Sequence, residues 1–277
     1  MTQHNGKGHP WSIILAGGEG TRVRSFVQRW LGRPRPKQFC TFVGSRSLLQ
    51  HTLDRAASLT PAAQSVLVVS RAHCQEAMAQ LDGRGGGTVL FQPANRDTAA
   101  GVFLPLTYVR ARDPHATVII YPSDHFVYPE ARFMATVQEA VSTAERLRDR
   151  IVVLGVAPDR LELDYGWMLP GETLARAGMQ PVQAVRTFLE KPTAQQADDA
   201  LVNHALWNTM VMTAKVDTLW SLGRECFPKL MQRFERLGRA IGTAKESQVL
   251  EAIYQTMPSK NFSSDLLQRV PDRVAVT

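Results

Sequence analysis

Trp11-Ser12-Ile13-Ile14-Leu15-Ala16-Gly17-Gly18-Glu19-Gly20-Thr21-Arg22 is the stretch that decides the fold. A short apolar run reads as a strand, and it ends in three glycines followed closely by an arginine. Without a Cβ in the way, backbone N–H groups of such a loop can turn toward a bound anion. The arginine then adds forked donors suited to phosphate oxygens. Taken alone, the same glycines are better explained by a tight strand-to-helix turn that needs positive φ.

Outward from this loop, short β-rich runs alternate with longer segments of helix-like spacing, the pattern of a mostly parallel sheet wrapped by helices. The strands are read as Trp11–Ala16, Ser65–Ser70, Thr88–Phe91, Thr117–Tyr121, Ile151–Val156, Val182–Leu189 and Leu206–Thr213. Helices are expected over Ser47–Leu59, Ala72–Leu81, Ala99–Ala111 and Pro129–Leu147. The C-terminal third is expected to be more helical, through Val216–Gly223, Phe227–Ile241 and Glu246–Met257. Asp82–Gly87 and Pro170–Gly178 read as loops, neither long enough for a domain linker. The expected fold is therefore α/β and doubly wound, Rossmann-like, as one domain over 1–277 behind a polar N-terminal tail at 1–10.

Composition agrees with a globular protein: 277 residues, 44% hydrophobic and 21% charged, with no sign of disorder or of a disulfide scaffold. Cys40, Cys74 and Cys226 lie far apart without a CxxC pair, which argues against a zinc site or a disulfide framework and makes a reducing cytoplasm the default location. No run approaches a membrane span, and the polar start lacks a signal-peptide core. The net charge of +7 suits polyanionic ligands. Nucleic acid is not expected, because basic and aromatic residues do not interleave. One basic cluster, Arg22, Arg24, Arg29, Arg33, Arg35 and Lys37, falls within the glycine-loop segment.

Two familiar phosphate loops fail here. GxxxxGK[ST] does not fit, and Val23 occupies the third glycine position of GxGxxG. The continuation Arg33-Pro34-Arg35-Pro36-Lys37-Gln38-Phe39 sets a rigid Pro-Lys after the loop, from which Lys37 can fold back as a second phosphate ligand.

A Gly-Gly-x-Gly-Thr-Arg loop followed by Pro-Lys-Gln resembles the sugar-nucleotide pyrophosphorylases, a nucleotidyltransferase family, and among them the mannose-1-phosphate guanylyltransferases. Four further motifs agree in order: Gln92-Pro93-Ala94-Asn95-Arg96-Asp97-Thr98-Ala99, Tyr121-Pro122-Ser123-Asp124-His125, Tyr165-Gly166-Trp167 and Phe188-Leu189-Glu190-Lys191-Pro192. The resemblance spans Ile13 to Asp265.

The resemblance implies transfer of a nucleotidyl group from GTP to mannose 1-phosphate with release of pyrophosphate. Leu15, Ala16, Gly17, Gly18, Gly20 and Thr21 would cradle the nucleotide, with Arg22 and Lys37 on its phosphates. Gln92, Asn95, Arg96, Thr98 and Ala99 belong to the motif that resembles the purine-recognising loop, and Gln92 can both donate and accept at a base edge. Without that context, Asp97 or Thr98 reads as a helix cap. Asp124, after an apolar strand, stands where open α/β sheets place ligand chemistry, and the resemblance makes it a ligand of Mg²⁺, which prefers oxygen donors. His125, with no partner at zinc-ligand spacing, reads as support. Gly166, Glu190, Lys191 and Asn208 would hold the sugar phosphate.

Three departures qualify this. Thr209 and Met210 stand where the family's Trp-Asn-Ser-Gly has Ser and Gly, so a larger side chain is expected in the sugar site. Val23 and Ser25 replace a usual Leu and Pro. The family's later Trp-Ser-Asp, whose aspartate completes the metal site opposite Asp124, does not occur between Asp265 and Thr277. The alternatives are a binding or regulatory homologue with impaired turnover, or the same reaction with another base or hexose. A homodimer is left open.

Overall fold

The computed structural model describes residues 10–84, 87–178 and 180–277. Within them the chain forms one sheet from β1 (Trp11–Ala16), β2 (Ser65–Ser70), β3 (Thr88–Gln92), β4 (Thr117–Pro122), β5 (Ile151–Val156), β6 (Gly166–Ala177), β7 (Gln180–Glu190), β8 (Leu206–Lys215) and β9 (Val274–Val276). The order is β3-β2-β1-β4-β8-β5-β9-β7-β6, with β6 also touching β8. Following the pairings, seven of these strands run one way and only β7 and β8 run the other. The sheet is thus mixed and mostly parallel.

The apolar runs are nearly continuous because both faces of the central strands are covered. Ile13, Val66, Val68, Val118 and Ile120 face one core, under α4 (Asp97–Arg112), α7 (Val216–Cys226), α8 (Pro228–Gly238) and α9 (Glu246–Thr256). Their neighbours Ile14, Leu67, Val69, Ile119 and Tyr121 face the other, under α2 (Leu48–Ala57), α3 (Cys74–Leu81) and α5 (Glu130–Arg146). This is the doubly wound arrangement. Ser47 starts α2 with a reciprocal capping box to Gln50. Among the described residues no helix is long and apolar enough to cross a membrane.

Several elements depart from the sequence reading. Pro170–Gly178, expected as a loop, lies mostly in strand β6, whose long antiparallel pairing with β7 shifts register at Pro170. That shift is how a strand accommodates a proline and the glycine beside it. Three elements went unread: α1 (Arg24–Leu31), α6 (Ala194–Val202) and β9. The expected cap at Asp97 or Thr98 is not made: α4 starts after Arg96 with no side-chain cap. The Thr98 hydroxyl instead accepts from the Phe262 N–H at 2.7 Å. Residues 1–9 of the polar tail and 85–86 of the expected 82–87 loop lie outside the described residues.

Candidate active site

The C-terminal ends of β1 to β5 form one rim of the sheet. The reversed strand β8 starts at the same rim, because Met212 pairs with Ile120 of β4 and Asn208 with Gly155 of β5. The open end of the β6–β7 hairpin joins it, with Gly166 opposite Glu190 and Trp167 opposite Trp207. Residues far apart in sequence therefore converge, as strand ends of open α/β sheets commonly do around a ligand.

The glycine loop is held from beneath. Leu15 O accepts from both the N–H and the hydroxyl of Ser123, at 3.1 and 2.7 Å. The buried Gln38 amide donates to Ala16 O at 3.0 Å and to Gly18 O at 2.8 Å. Gly20 has φ 61°, and a Cβ there would stand 2.9 Å from Lys37 N, so the loop lies directly on the Pro36-Lys37 backbone. A Cβ on Gly17 would meet Gln92 Oε1 at 2.5 Å, whereas one on Gly18 would point into open space. Thr21 begins the short 3₁₀ turn that carries Arg22.

Two cations of the basic cluster reach this rim. Lys37 Nζ lies 3.6 Å from Asp124 Oδ2, and Arg22 lies 3.8 Å from Asp164. Arg35 turns away to Glu76 at 2.5 Å, while Arg24, Arg29 and Arg33 are exposed on α1 and beyond it. His125 Nε2 is 3.8 Å from Asp124 Oδ1. Burial lowers the imidazole's pKa and Asp124 opposes the shift, with Lys37 and Arg55 also lowering it. Among the described residues no three His, Cys, Asp or Glu side chains gather at a metal position. The half-exposed Asp124 carboxylate fits a hard cation that takes one or two carboxylates and completes its shell with phosphate oxygens and water.

The purine-loop residues are less uniform. Gln92 is buried, donating to the Tyr254 hydroxyl at 3.1 Å with its oxygen toward Gly17, so its amide buttresses the glycine loop from inside. Arg96 grips Tyr254 O at 2.8 and 3.0 Å, fastening α9. Ala99 N–H donates to Lys260 O. Asn95 remains at the surface, donating to Glu19 at 3.5 Å and accepting from Asp97 N–H at 2.9 Å.

On the opposite side, a Cβ on Gly166 would meet Glu190 Oε2 at 2.9 Å and Asn208 Cβ at 3.2 Å, so these three residues form one cluster. Lys191, at φ 47°, turns the chain from β7 toward α6. Burial pushes the Glu190 carboxyl above the usual carboxylate range; Lys191 and Arg22 pull it down, and Asp97 raises it further. Tyr165, Trp167 and Trp207 pack edge to face behind the cluster. Met210 does not enter the sugar side as expected. It takes φ 58° and packs against the core, with its sulfur 3.3 Å from the Ser263 hydroxyl. Its N–H donates to Asn208 Oδ1 at 2.8 Å, fixing that amide. Sequence reasoning missed Gln38, Ser123, Tyr254 and Gln268, whose side-chain oxygen accepts from Glu190 N–H at 2.8 Å.

Comparison with known proteins adds to this geometry. The nucleotidyl transferase family model matches residues 11–243. An Escherichia coli protein named mannose-1-phosphate guanylyltransferase is 26% identical over 96% of this chain and 57% of its own length. A Xanthomonas campestris pv. campestris protein named xanthan biosynthesis protein XanB is 32% identical over 71% of this chain and 40% of its own. The chain thus spans about half the length of the curated relatives it matches. A Thermus thermophilus crystal structure described as mannose-1-phosphate geranyltransferase superposes with a TM-score of 0.80 at 26% identity, covering 96% of this chain and 73% of that one.

Proposed function

Since the chain belongs to the nucleotidyl transferase family, we propose that it transfers a nucleotidyl group from a nucleoside triphosphate to a sugar 1-phosphate, with GTP and mannose 1-phosphate as the pair. The observation that carries this reading is the meeting, on one rim, of the glycine loop, the Lys37–Asp124 pair and the Gly166–Glu190–Asn208 cluster. The choice of base and sugar follows the name of the Escherichia coli relative.

An oxygen of the acceptor phosphate attacks the α-phosphorus in line, the bond from that phosphorus to the bridging oxygen breaks, and pyrophosphate leaves. The obstacle is the mutual repulsion of two polyanions, so positioning and charge neutralisation do the work. Arg22 and Lys37 take the triphosphate. In the free protein both are held by solvent-exposed ion pairs, which are weak in water, so the nucleotide displaces them at small cost. Asp124 would hold Mg²⁺, which supplies further neutralisation of phosphate charge when bound. Lys191 takes the acceptor phosphate, and Glu190 and Asn208 take sugar hydroxyls. The base lies along the loop from Pro93 to Asn95, which Gln92 supports from within.

The test is pyrophosphate release from a panel of nucleoside triphosphates with mannose 1-phosphate and glucose 1-phosphate in the presence of Mg²⁺. GTP with mannose 1-phosphate should be fastest. Another fastest pair would overturn the base or the sugar alone, and no release from any pair would overturn the reaction. Calorimetric GTP binding without release would leave a nucleotide-binding protein.

A further inference from the structure

Arg55 of α2 is 4% exposed, so its charge is carried inside the protein. Nη1 donates to Glu130 Oε1 at 3.0 Å, and Nη2 donates to Thr52 Oγ1 at 2.8 Å and to the carbonyl of His125 at 3.2 Å. Its Nε and the buried Tyr121 hydroxyl have no partner. Burying a guanidinium is costly, and an apolar side chain of similar volume often serves stability as well or better. Packing therefore does not account for an arginine here.

The bond to His125 does. Ser123, one residue before Asp124, is tied to Leu15 O by its N–H and its hydroxyl. From Asp124 to Tyr128, among the described residues, the backbone receives one hydrogen bond, the one from Arg55 to His125 O. Asp124 thus lies between two anchors, one residue to either side. One anchor comes from the glycine loop's own strand and the other from α2. Glu130, at the start of α5, holds the free end of the guanidinium in place. We propose that Arg55 is a positioning residue that fixes the Asp124 carboxylate relative to the glycine loop, and so sets how strongly the site engages a divalent cation. This rests on the reading above for Asp124 as the cation's carboxylate and for the kinetic consequence, whereas the anchoring of the segment by Arg55 stands on the geometry.

Phe126 is 60% exposed within the anchored segment, so chymotrypsin cleavage after it under native conditions reports how often that segment opens. Replacing a charge-assisted hydrogen bond with an apolar contact in Arg55→Met should speed this cleavage about tenfold. Arg55→Lys, which keeps the charge but loses the fork, should fall between. In the same variants the Mg²⁺ concentration for half-maximal activity should rise about tenfold, while KM for the nucleotide at saturating Mg²⁺ stays within about threefold. A general loss of stability would not split the two constants in this way. Unchanged cleavage after Phe126 in the folded variants overturns the proposal, and if Arg55→Met does not fold, Arg55→Lys decides. Absence of turnover in the unmodified protein would instead remove the reaction, with the cleavage result still deciding the role of Arg55.

Discussion

Gly18 and Gly20 belong to one loop, yet alanine at each should act in opposite ways. At Gly20 the backbone is left-handed, φ 61°, and the new Cβ would stand 2.9 Å from Lys37 N, a backbone atom that cannot rotate away. The left-handed conformation costs about 1–2 kcal/mol for a residue with a Cβ. Relieving the overlap by shifting the loop adds strain of about 1–3 kcal/mol. Gly20→Ala should therefore lose about 2–5 kcal/mol, a fall in Tm of about 3–9 °C for a chain of 277 residues. At Gly18 the φ is not left-handed and no atom lies within 4 Å of the new Cβ. Gly18→Ala should be neutral, or gain about 0.4–1 kcal/mol through the unfolded chain. That open space is where the triphosphate is proposed to lie, so GTP affinity should nevertheless fall by about tenfold or more. Differential scanning fluorimetry with calorimetric GTP titration reads both quantities. If Gly18→Ala lowers Tm while binding GTP normally, or Gly20→Ala keeps its Tm, the assignment of support and opening within the loop is wrong.

Lys37→Met should lower kcat by about 10²–10³-fold while changing GTP affinity by less than about tenfold, because the proposed role of Lys37 is to neutralise charge that accumulates between two phosphates; the reverse pattern would refute this. Glu190→Gln tests the raised carboxyl. Ionisation is harder in the folded state, so Glu190 destabilises the protein as pH rises through its unfolded value of about 4.3, and the cost persists above the folded value. The variant should be more stable than the parent at pH 7, with the gain fading below about pH 4, whereas a Tm difference independent of pH would count against it. Met210, at φ 58°, reverses a usual order: Met210→Gly should be more stable than Met210→Ala by about 1 kcal/mol, where Gly in an ordinary strand is worse by about 0.5–1 kcal/mol, as chemical denaturation would show.

The parts legible in sequence are those buried on both sides. β1, β2 and β4 are covered by helices on each face, so their apolar runs are continuous and stand out. β6 lies toward the edge of the sheet, and its Leu169-Pro170-Gly171 imitates a turn. α6 is built from Ala, Gln and Asp and has only two buried side chains, which hides its period. Its start was nevertheless marked by Thr193 and Gln196, the two halves of a capping box. Within the site, the glycines and strand-end carboxylates announce themselves through residue type. The roles of Gln38, Ser123 and Arg55 do not, because each acts on backbone 20 or more residues away and only the fold brings the partners together.

β9 bears on how the molecule is made. It is the latest strand in the chain, but it sits between β5 and β7, pairing Val274 with Ile151 and Val276 with Gln183. Contacts so distant along the chain close slowly. On a ribosome adding about 5–20 residues per second, the β6–β7 hairpin emerges about 4–17 seconds before its inner neighbour exists. Once β8 has followed, and until β9 is made, the hairpin's attachment to the rest of the sheet is the short pairing of Trp167 and Met168 with β8. Glu190 and Gly166 ride on that hairpin, so the side of the rim proposed to hold the sugar should gain its full set of neighbouring strands last, well after the glycine loop has its own.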